Sequence, residues 1–457
     1  MNSPFPEPGP AERLETGLLL PREALRALLF PFRLLLTPTG REENRAILLE
    51  REESPPPPPP RPPFAPPLPG DRPPKIFLSV GDVSGEAHAL DLLDRAARSG
   101  LEARWCGLGG RAMAREGVEL LADLTSRPVM GLGPALARIP FFLGVLARTF
   151  ALFRRDPPDL AVLIDSPALN LIVGEKARKA GIPVLYYVCP QLWAWAPWRM
   201  RRFRRACDGA LTLFPFEAPF FRRGGIHAAW AGHPLARKWD FRPSPPGQGE
   251  NPFLDPPTLA LLPGSRPHDQ EGNLPVMAAA VKILRKEGRT FRAVVGQDDP
   301  GRLEKARRLL AEIPGGEEIE TTGDLRALLE GARLALVKSG TGSLEAALAG
   351  TPNVVIYTLS SPFFRFLGDR FLSVPWVAAA NLSAGREVVP ELLLVRGEEE
   401  SLARAAARLW DDETALSRQR RDLEEVRERL TSRGREADPV AWMKSLLGIP
   451  PAGRPSR

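Results

Sequence analysis

Lys75 to Gly100 reads KIFLSVGDVSGEAHALDLLDRAARSG: a short apolar run, a polar loop punctuated by two glycines, then apolar residues at helical spacing. A strand that passes through a glycine loop into a helix is half of a βαβ unit, and the pattern recurs downstream. LEARWCGLG, DLAVLID, a helix reaching Lys179, and IPVLYYV continue it. A second series starts beyond the proline-rich stretch DFRPSPPGQGENPFLDPP (Asp240 to Pro257): TLALLPG, a helix through VMAAAVKILRKEG, FRAVVG, RLALVKSG and TPNVVIYT. Strands alternating with helices at this spacing predict an α/β chain with two parallel, helix-covered sheets, hence two Rossmann-like halves with a cleft between them.

The expected divisions are an extension over 1–74, a first Rossmann-like domain over 75–239, a linker over 240–257, a second domain over 258–393 and charge-rich helices over 394–457 that pack back on the first domain. Twenty of the 51 prolines precede Lys75, so 50–74 reads as an extended linker. Ahead of it, Arg22 to Leu36 mixes leucine and phenylalanine with arginine. That pattern fits either an amphipathic helix on a membrane or partner, or a loosely ordered extension.

The length of 457 residues and the 43% apolar content suffice for sizeable cores. A net charge of +7 favours an anionic contact: nucleic acid, lipid headgroups or a phosphorylated ligand. No nucleic-acid-binding signature accompanies the charge, so that partner is not expected. Three scattered cysteines, Cys106, Cys189 and Cys207, indicate neither a zinc site nor a disulfide framework, and a reducing cytoplasm fits them. No run is long and apolar enough to span a bilayer, and no secretory signal is read at the N-terminus.

Ligands of such sheets sit beyond the carboxyl ends of the strands. After KIFLSV, the loop offers Asp82, Ser84 and Glu86. After DLAVLID, Asp165 stands at a strand tip, either as a general base or as the cap of the next helix. His233, in AGHPLA, is either structural or catalytic. In the second half LLPGSR brings Arg266 directly after a strand, suited to a bidentate grip on phosphate. SGTGS gathers Ser339, Gly340, Thr341 and Ser343 before a helix, an anion site rather than a mere cap, with Glu345 one turn inside to meet ribose hydroxyls. No P-loop element occurs, and no Asp-x-Asp pair follows a strand, so no cofactor and no metal are expected.

In order, GDVSGEAHA, GLGGRAMAREG, VMGLGPAL, LIDSPALN, YYVCPQLWAWAPWR, LFPFEAPFF, WAGHPL, LLPGSR, SGTGSLEAALAGTP and NLSAGREVVPELL resemble the lipid-A-disaccharide synthase family of inverting GT-B glycosyltransferases. The resemblance runs from Lys75 to about Leu393. It implies the joining of UDP-2,3-diacylglucosamine to 2,3-diacylglucosamine 1-phosphate with release of UDP, on the inner face of the cytoplasmic membrane. It implies also that Asn381 and Glu387 complete the donor wall. Both sugars carry acyl chains, which gives a role to Tyr186–Arg205, where Trp193, Trp195 and Trp198 precede five arginines in seven residues. That segment, with Arg138 to Arg155 as companion helix, is expected to face anionic lipid, or else to bury its tryptophans and solvate its arginines. The family often carries an acidic residue where Ala168 stands; its loss points to Asp165 as base, with Glu86 second. The alternatives are another GT-B enzyme acting on UDP-N-acetylglucosamine and a membrane-associated homologue without activity.

Overall fold

The computed structural model describes residues 4–28, 46, 57–60, 72–125, 139–239, 251–359, 372–395, 397–432 and 436–450. They form two compact units: the first holds residues 72–234, the N-terminal helix and 436–450, the second 235–432.

The first unit is built on seven parallel strands in the order β3-β2-β1-β4-β5-β6-β7. These are β1 (Lys75–Val80), β2 (Arg104–Gly109), β3 (Glu119–Asp123), β4 (Leu160–Ile164), β5 (Val184–Tyr187), β6 (Gly209–Thr212) and β7 (Ala228–Trp230). The central strands β1, β4 and β5 are buried at every position, which is why they read as largely apolar runs rather than alternating ones. On one face Ile76, Leu78 and Val80 pack with Leu92 of helix Val83–Arg98 and with Trp442 and Met443 of helix Pro439–Leu446. On the other, Phe77 meets Phe153 at 5.1 Å between ring centroids, and Tyr186, Phe203 and Phe221 stack in a chain. Helix Pro439–Leu446 thus belongs to the first unit although the second precedes it in sequence.

The second unit has six parallel strands in the order β10-β9-β8-β11-β12-β13. They are β8 (Thr258–Leu262), β9 (Arg292–Gly296), β10 (Glu320–Thr322), β11 (Leu334–Lys338), β12 (Asn353–Leu359) and β13 (Glu391–Val395). Helices Glu399–Trp410 and Glu413–Leu430 belong to this unit. Each sheet therefore reverses strand order once, between β1 and β4 and between β8 and β11, and such reversals are where exit loops diverge and leave a crevice.

The helix expected over Arg22 to Leu36 begins earlier, as Pro10–Leu28; residues 29–36 lie outside the described residues, as does VMGLGPAL. It docks by charge. Glu12, 1% exposed, receives Arg154 at 2.8 Å, Arg155 at 3.2 Å and the amide of Gly9 at 2.7 Å. Burial works against its ionised form, but the Gly9 amide and the two guanidinium groups prevail and hold its pKa below the usual carboxylate value. Glu15 pairs with Lys176, and Glu23 takes both terminal nitrogens of Arg202 at 3.0 Å. Glu12→Ala is expected to loosen this helix, so that cleavage within it under limited proteolysis is faster by about tenfold, the equivalent of one charge-assisted hydrogen bond. An unchanged rate would mean that the ion pairs do not hold it.

Candidate active site

In the first unit the loops leaving β1 and β4 touch at the reversal. A Cβ on Gly81 would lie 2.3 Å from Ser166 Oγ, so only glycine permits this approach. Asp82 caps helix Val83–Arg98, accepting from the Gly85 amide at 2.7 Å, while Ser84 is exposed. Glu86 is buried; its Oε1 accepts from the amides of Ala112 (3.0 Å) and Met113 (3.1 Å), so it fastens the start of helix Arg111–Arg115. In this geometry Glu86 positions the GLGGRAM segment.

The turn after β4 is strained. Asp165 (φ 46°), Ser166 (φ 45°) and Val188 (φ 60°) are the non-glycine residues of positive φ among the described residues, and all lie at the carboxyl ends of the adjacent strands β4 and β5. Such conformations cost on the order of 1–3 kcal/mol each and persist where surrounding bonds impose them. Here Asp165 donates its amide to the Val188 carbonyl (3.1 Å), and its own carbonyl accepts from the Tyr186 hydroxyl (2.6 Å) and Asn170 Nδ2 (2.9 Å). Burial first, then the nearby Asp165 charge, pushes the Tyr186 phenol well up, so it stays a donor. The capping position of helix Pro167–Lys179 is Ser166, which makes no side-chain cap bond. Asp165 itself is half-buried at the strand tip, its backbone fixed by these bonds.

His233 stands with its ring 6.0 Å from that of His88 and 5.3 Å from that of Phe214. Sequence reasoning passed over His88, although GDVSGEAHA contains it. Trp193, expected at a lipid-facing surface, is instead 3% exposed and donates its indole N–H to Glu217 at 3.0 Å. The other oxygen of Glu217 accepts from the amides of Leu213 (3.1 Å) and Phe214 (3.0 Å), so one buried carboxylate ties the PQLWAW segment to LFPFE. Burial pushes the Glu217 pKa up to about 7, against the pull of these three donors. Trp195 ends helix Leu192–Trp195, and Trp198 is half-buried. The arginine surface is in part neutralised: Arg201, Arg204 and Arg205 are exposed, Arg154 and Arg155 are exposed but paired with the N-terminal helix, and Arg202 is largely covered by it.

In the second unit the loops after β8 and β11 adjoin. Gly264 (φ 114°) and Gly340 (φ 137°) make the two turns, in backbone conformations that side chains resist. Arg266 is exposed at the capping position of helix Pro267–Lys286. Ser339 is buried, with its amide in the sheet, and Ser343 exchanges hydrogen bonds with the Gly340 backbone; Gly340 and Thr341 are exposed at the start of helix Thr341–Ala349. Glu345 is buried in that helix. Lys338, which sequence reasoning missed, ends β11 with its ammonium 3.5 Å from Asp269 and beside the Gly340 turn. Its signal was its position immediately before SGTGS. Asn381 does not line an open wall. It is fully buried, accepting from Val388 (2.7 Å) and Val389 (2.9 Å) and donating to Glu391 (2.7 Å) and the Val389 carbonyl. Glu387 is exposed.

A family model described as lipid-A-disaccharide synthetase matches residues 76–443. The lipid-A-disaccharide synthase of Acidobacterium capsulatum is 35% identical over 382 residues, covering 80% of this chain and 94% of that protein. That of Myxococcus xanthus is 35% identical over 385 residues, covering 84% and 99%. The chain belongs to the lipid-A-disaccharide synthetase family. Its activity is that of a glycosyltransferase, a lipid-A-disaccharide synthase. Among solved structures, the glycotransferase of kitacinnamycin aligns with 79% of this chain and 96% of its own at 17% identity and a TM-score of 0.49. The family match takes in both strand-order reversals and stops short of helix Pro10–Leu28, which lies outside it.

Glu217 supplies a pH test of the loop anchor. Its folded pKa of about 7 exceeds the ordinary 4.5, so between those values the folded chain binds more protons than the unfolded one. Its contribution is therefore full below about pH 4.5 and is lost as pH rises through 7, at up to about 1.4 kcal/mol per pH unit. Urea unfolding of wild type and Glu217→Gln across this window should show the difference between them falling with pH. Parallel profiles would refute the raised pKa.

Proposed function

We propose that this synthase transfers a 2,3-diacylglucosamine unit from its UDP donor to the 6-hydroxyl of 2,3-diacylglucosamine 1-phosphate, with inversion at the anomeric carbon. The observation that carries the reading is the pairing, within the second unit, of an exposed arginine after β8 with an exposed glycine turn and helix start after β11. The free amides of a helix N-terminus, one guanidinium and the Lys338 ammonium form a set of donors for a diphosphate. Charge that builds on departing UDP is met by donors already in position, with no metal assigned a step. Glu345, buried one turn inside, is the candidate for the ribose, with Glu387 at the periphery.

On the first unit, Asp165 is the proposed base. The strained turn fixes its position at the tip of β4. Deprotonation of the acceptor hydroxyl as the anomeric bond forms balances the step: the proton goes to Asp165 and the electron pair of the broken bond leaves with UDP. His233, with His88 against it, is proposed to orient a sugar oxygen. Trp193 then acts only through the loop it anchors, and Ser84 and Trp195 remain candidates for acceptor contact. Because both substrates are acylated, we assign the enzyme to the surface of the cytoplasmic membrane, on its inner face. No helix among the described residues is long and apolar enough to cross a membrane.

Two measurements test this. Asp165→Asn should lower kcat by about 100-fold or more while UDP affinity, measured by calorimetry, changes little, since the donor candidates lie in the other unit. If Asp165→Asn stays active and Glu86→Gln is dead yet as stable as wild type, the base is Glu86. Arg266→Ala should weaken use of the UDP donor by about tenfold to over a hundredfold, the worth of a charge-assisted contact. Unchanged kinetics would remove Arg266 from the site.

A further inference from the structure

Helix Pro10–Leu28 is docked inside out. Three residues per turn and a fraction place Glu12, Thr16 and Glu23 within about 40° of arc, and these face the body of the first unit. Leu14, Leu18 and Leu25 fall within about 40° on the opposite side and are 67%, 65% and 55% exposed. With Leu20, they make four of the eight large apolar side chains exposed among the described residues. An amphipathic helix ordinarily buries its leucines and exposes its charges; here ion pairs fix the charged side inward and turn the leucines out.

The charges left on the outer surface choose the partner. All three acids of the helix, Glu12, Glu15 and Glu23, are consumed by Arg154, Arg155, Lys176 and Arg202. The exposed charges of the helix are Arg13 and Arg22: Arg22 borders the leucine stripe, about 60° from its centre, and Arg13 lies about 120° round on the other side. Leucines bordered by an arginine, with each acid of the helix paired to a cation of the body, match a bilayer interface of anionic lipid, where apolar side chains enter the acyl boundary and cations meet the headgroups. We propose that the outward face of helix Pro10–Leu28 is a lipid-contact surface, with Leu14, Leu18 and Leu25 entering the interface and Arg13 and Arg22 at the headgroups. By pairing with Arg154, Arg155, Lys176 and Arg202, the helix also offsets part of the charge those cations would offer to lipid. The choice of a bilayer as partner accords with the acylated substrates proposed above, but the test reads binding and not turnover, so the two proposals fail separately.

The full chain is floated with vesicles containing phosphatidylglycerol and, separately, with neutral phosphatidylcholine vesicles. Wild type should bind the anionic vesicles, and Leu14→Ser/Leu18→Ser/Leu25→Ser should lower that partitioning by about tenfold or more while Leu254→Ser does not. Arg13→Glu/Arg22→Glu should weaken binding and reduce its sensitivity to salt. Because the three native cysteines are buried, Leu18→Cys can be labelled with an environment-sensitive fluorophore whose emission should shift to the blue on anionic vesicles. Equal partitioning of the triple variant and wild type, or an unshifted label, would overturn the proposal. So would a lipid-free dimer of the wild type that the triple variant abolishes, since the stripe would then pair with a second copy. Turnover on detergent-dispersed substrate should be unchanged in the triple variant; absence of turnover in wild type would count against the catalytic reading and leave the vesicle result standing.

Discussion

The carboxamide of Asn170 ties the first unit together where its strand order reverses. At the reversal between β1 and β4 the exit loops run opposite ways, and their approach has to be fixed by side chains at the strand ends. Asn170 is fully buried there; its Oδ1 accepts from the Ser79 hydroxyl at 2.5 Å and its Nδ2 donates to the carbonyls of Ser79, Ile164 and Asp165. One amide thus binds the last turn of β1 to the last residues of β4. Asn273 does the corresponding work in the second unit: it donates to the carbonyls of Pro263 and Asp269 and accepts from Thr358 at 2.6 Å, joining the exit of β8 to the end of β12. Buried amides with every group partnered rigidify what they join, and an unpartnered one would cost about 1–3 kcal/mol.

The strained turn depends on that staple. Asp165, Ser166 and Val188 could relax toward ordinary backbone angles if the Asp165 carbonyl were released, but Asn170 and Tyr186 both hold it. Tyr186 can do so because its buried phenol does not ionise, and its ring is fixed against Phe203 at 4.8 Å. The core on one face of the sheet therefore determines the aim of a carboxylate at the sheet's edge. Glu217 extends the same logic to the next loops, converting a buried charge into three hydrogen bonds that set where the tryptophan segment lies.

The central strands were legible because burial on both faces leaves mostly apolar runs; KIFLSV is β1 residue for residue. The edge strands were not: Ala228–Trp230 and Glu320–Thr322 are three residues each, too short to carry a period, and exist because a neighbouring strand offers hydrogen bonds. Asp165, Arg266 and the SGTGS turn stand out as candidates from their position after strands. The tasks of Glu86, Trp193 and Asn381 were not, because a carboxylate, indole or amide reads alike whether it meets a ligand or a distant backbone amide. His88 and Lys338 escaped because their partners, His233 and Asp269, are brought to them by the fold.

The N-terminal helix shows why composition misjudged the arginines. Read linearly, Arg138–Arg155 and Tyr186–Arg205 look like one cationic surface open to lipid. In the fold, three glutamates from more than a hundred residues upstream neutralise its inner part, and Arg202 keeps only 16% of its side-chain surface. Neutralisation of a buried carboxylate by two guanidinium groups requires that Glu12 lose water, and the geometry compensates with an amide from Gly9 as well. A helix bound this way cannot also turn its leucines inward, since the same backbone carries both sets of side chains on opposite sides. Its apolar surface is therefore a consequence of its electrostatic docking, and the cations that hold it decide which face the protein shows outward.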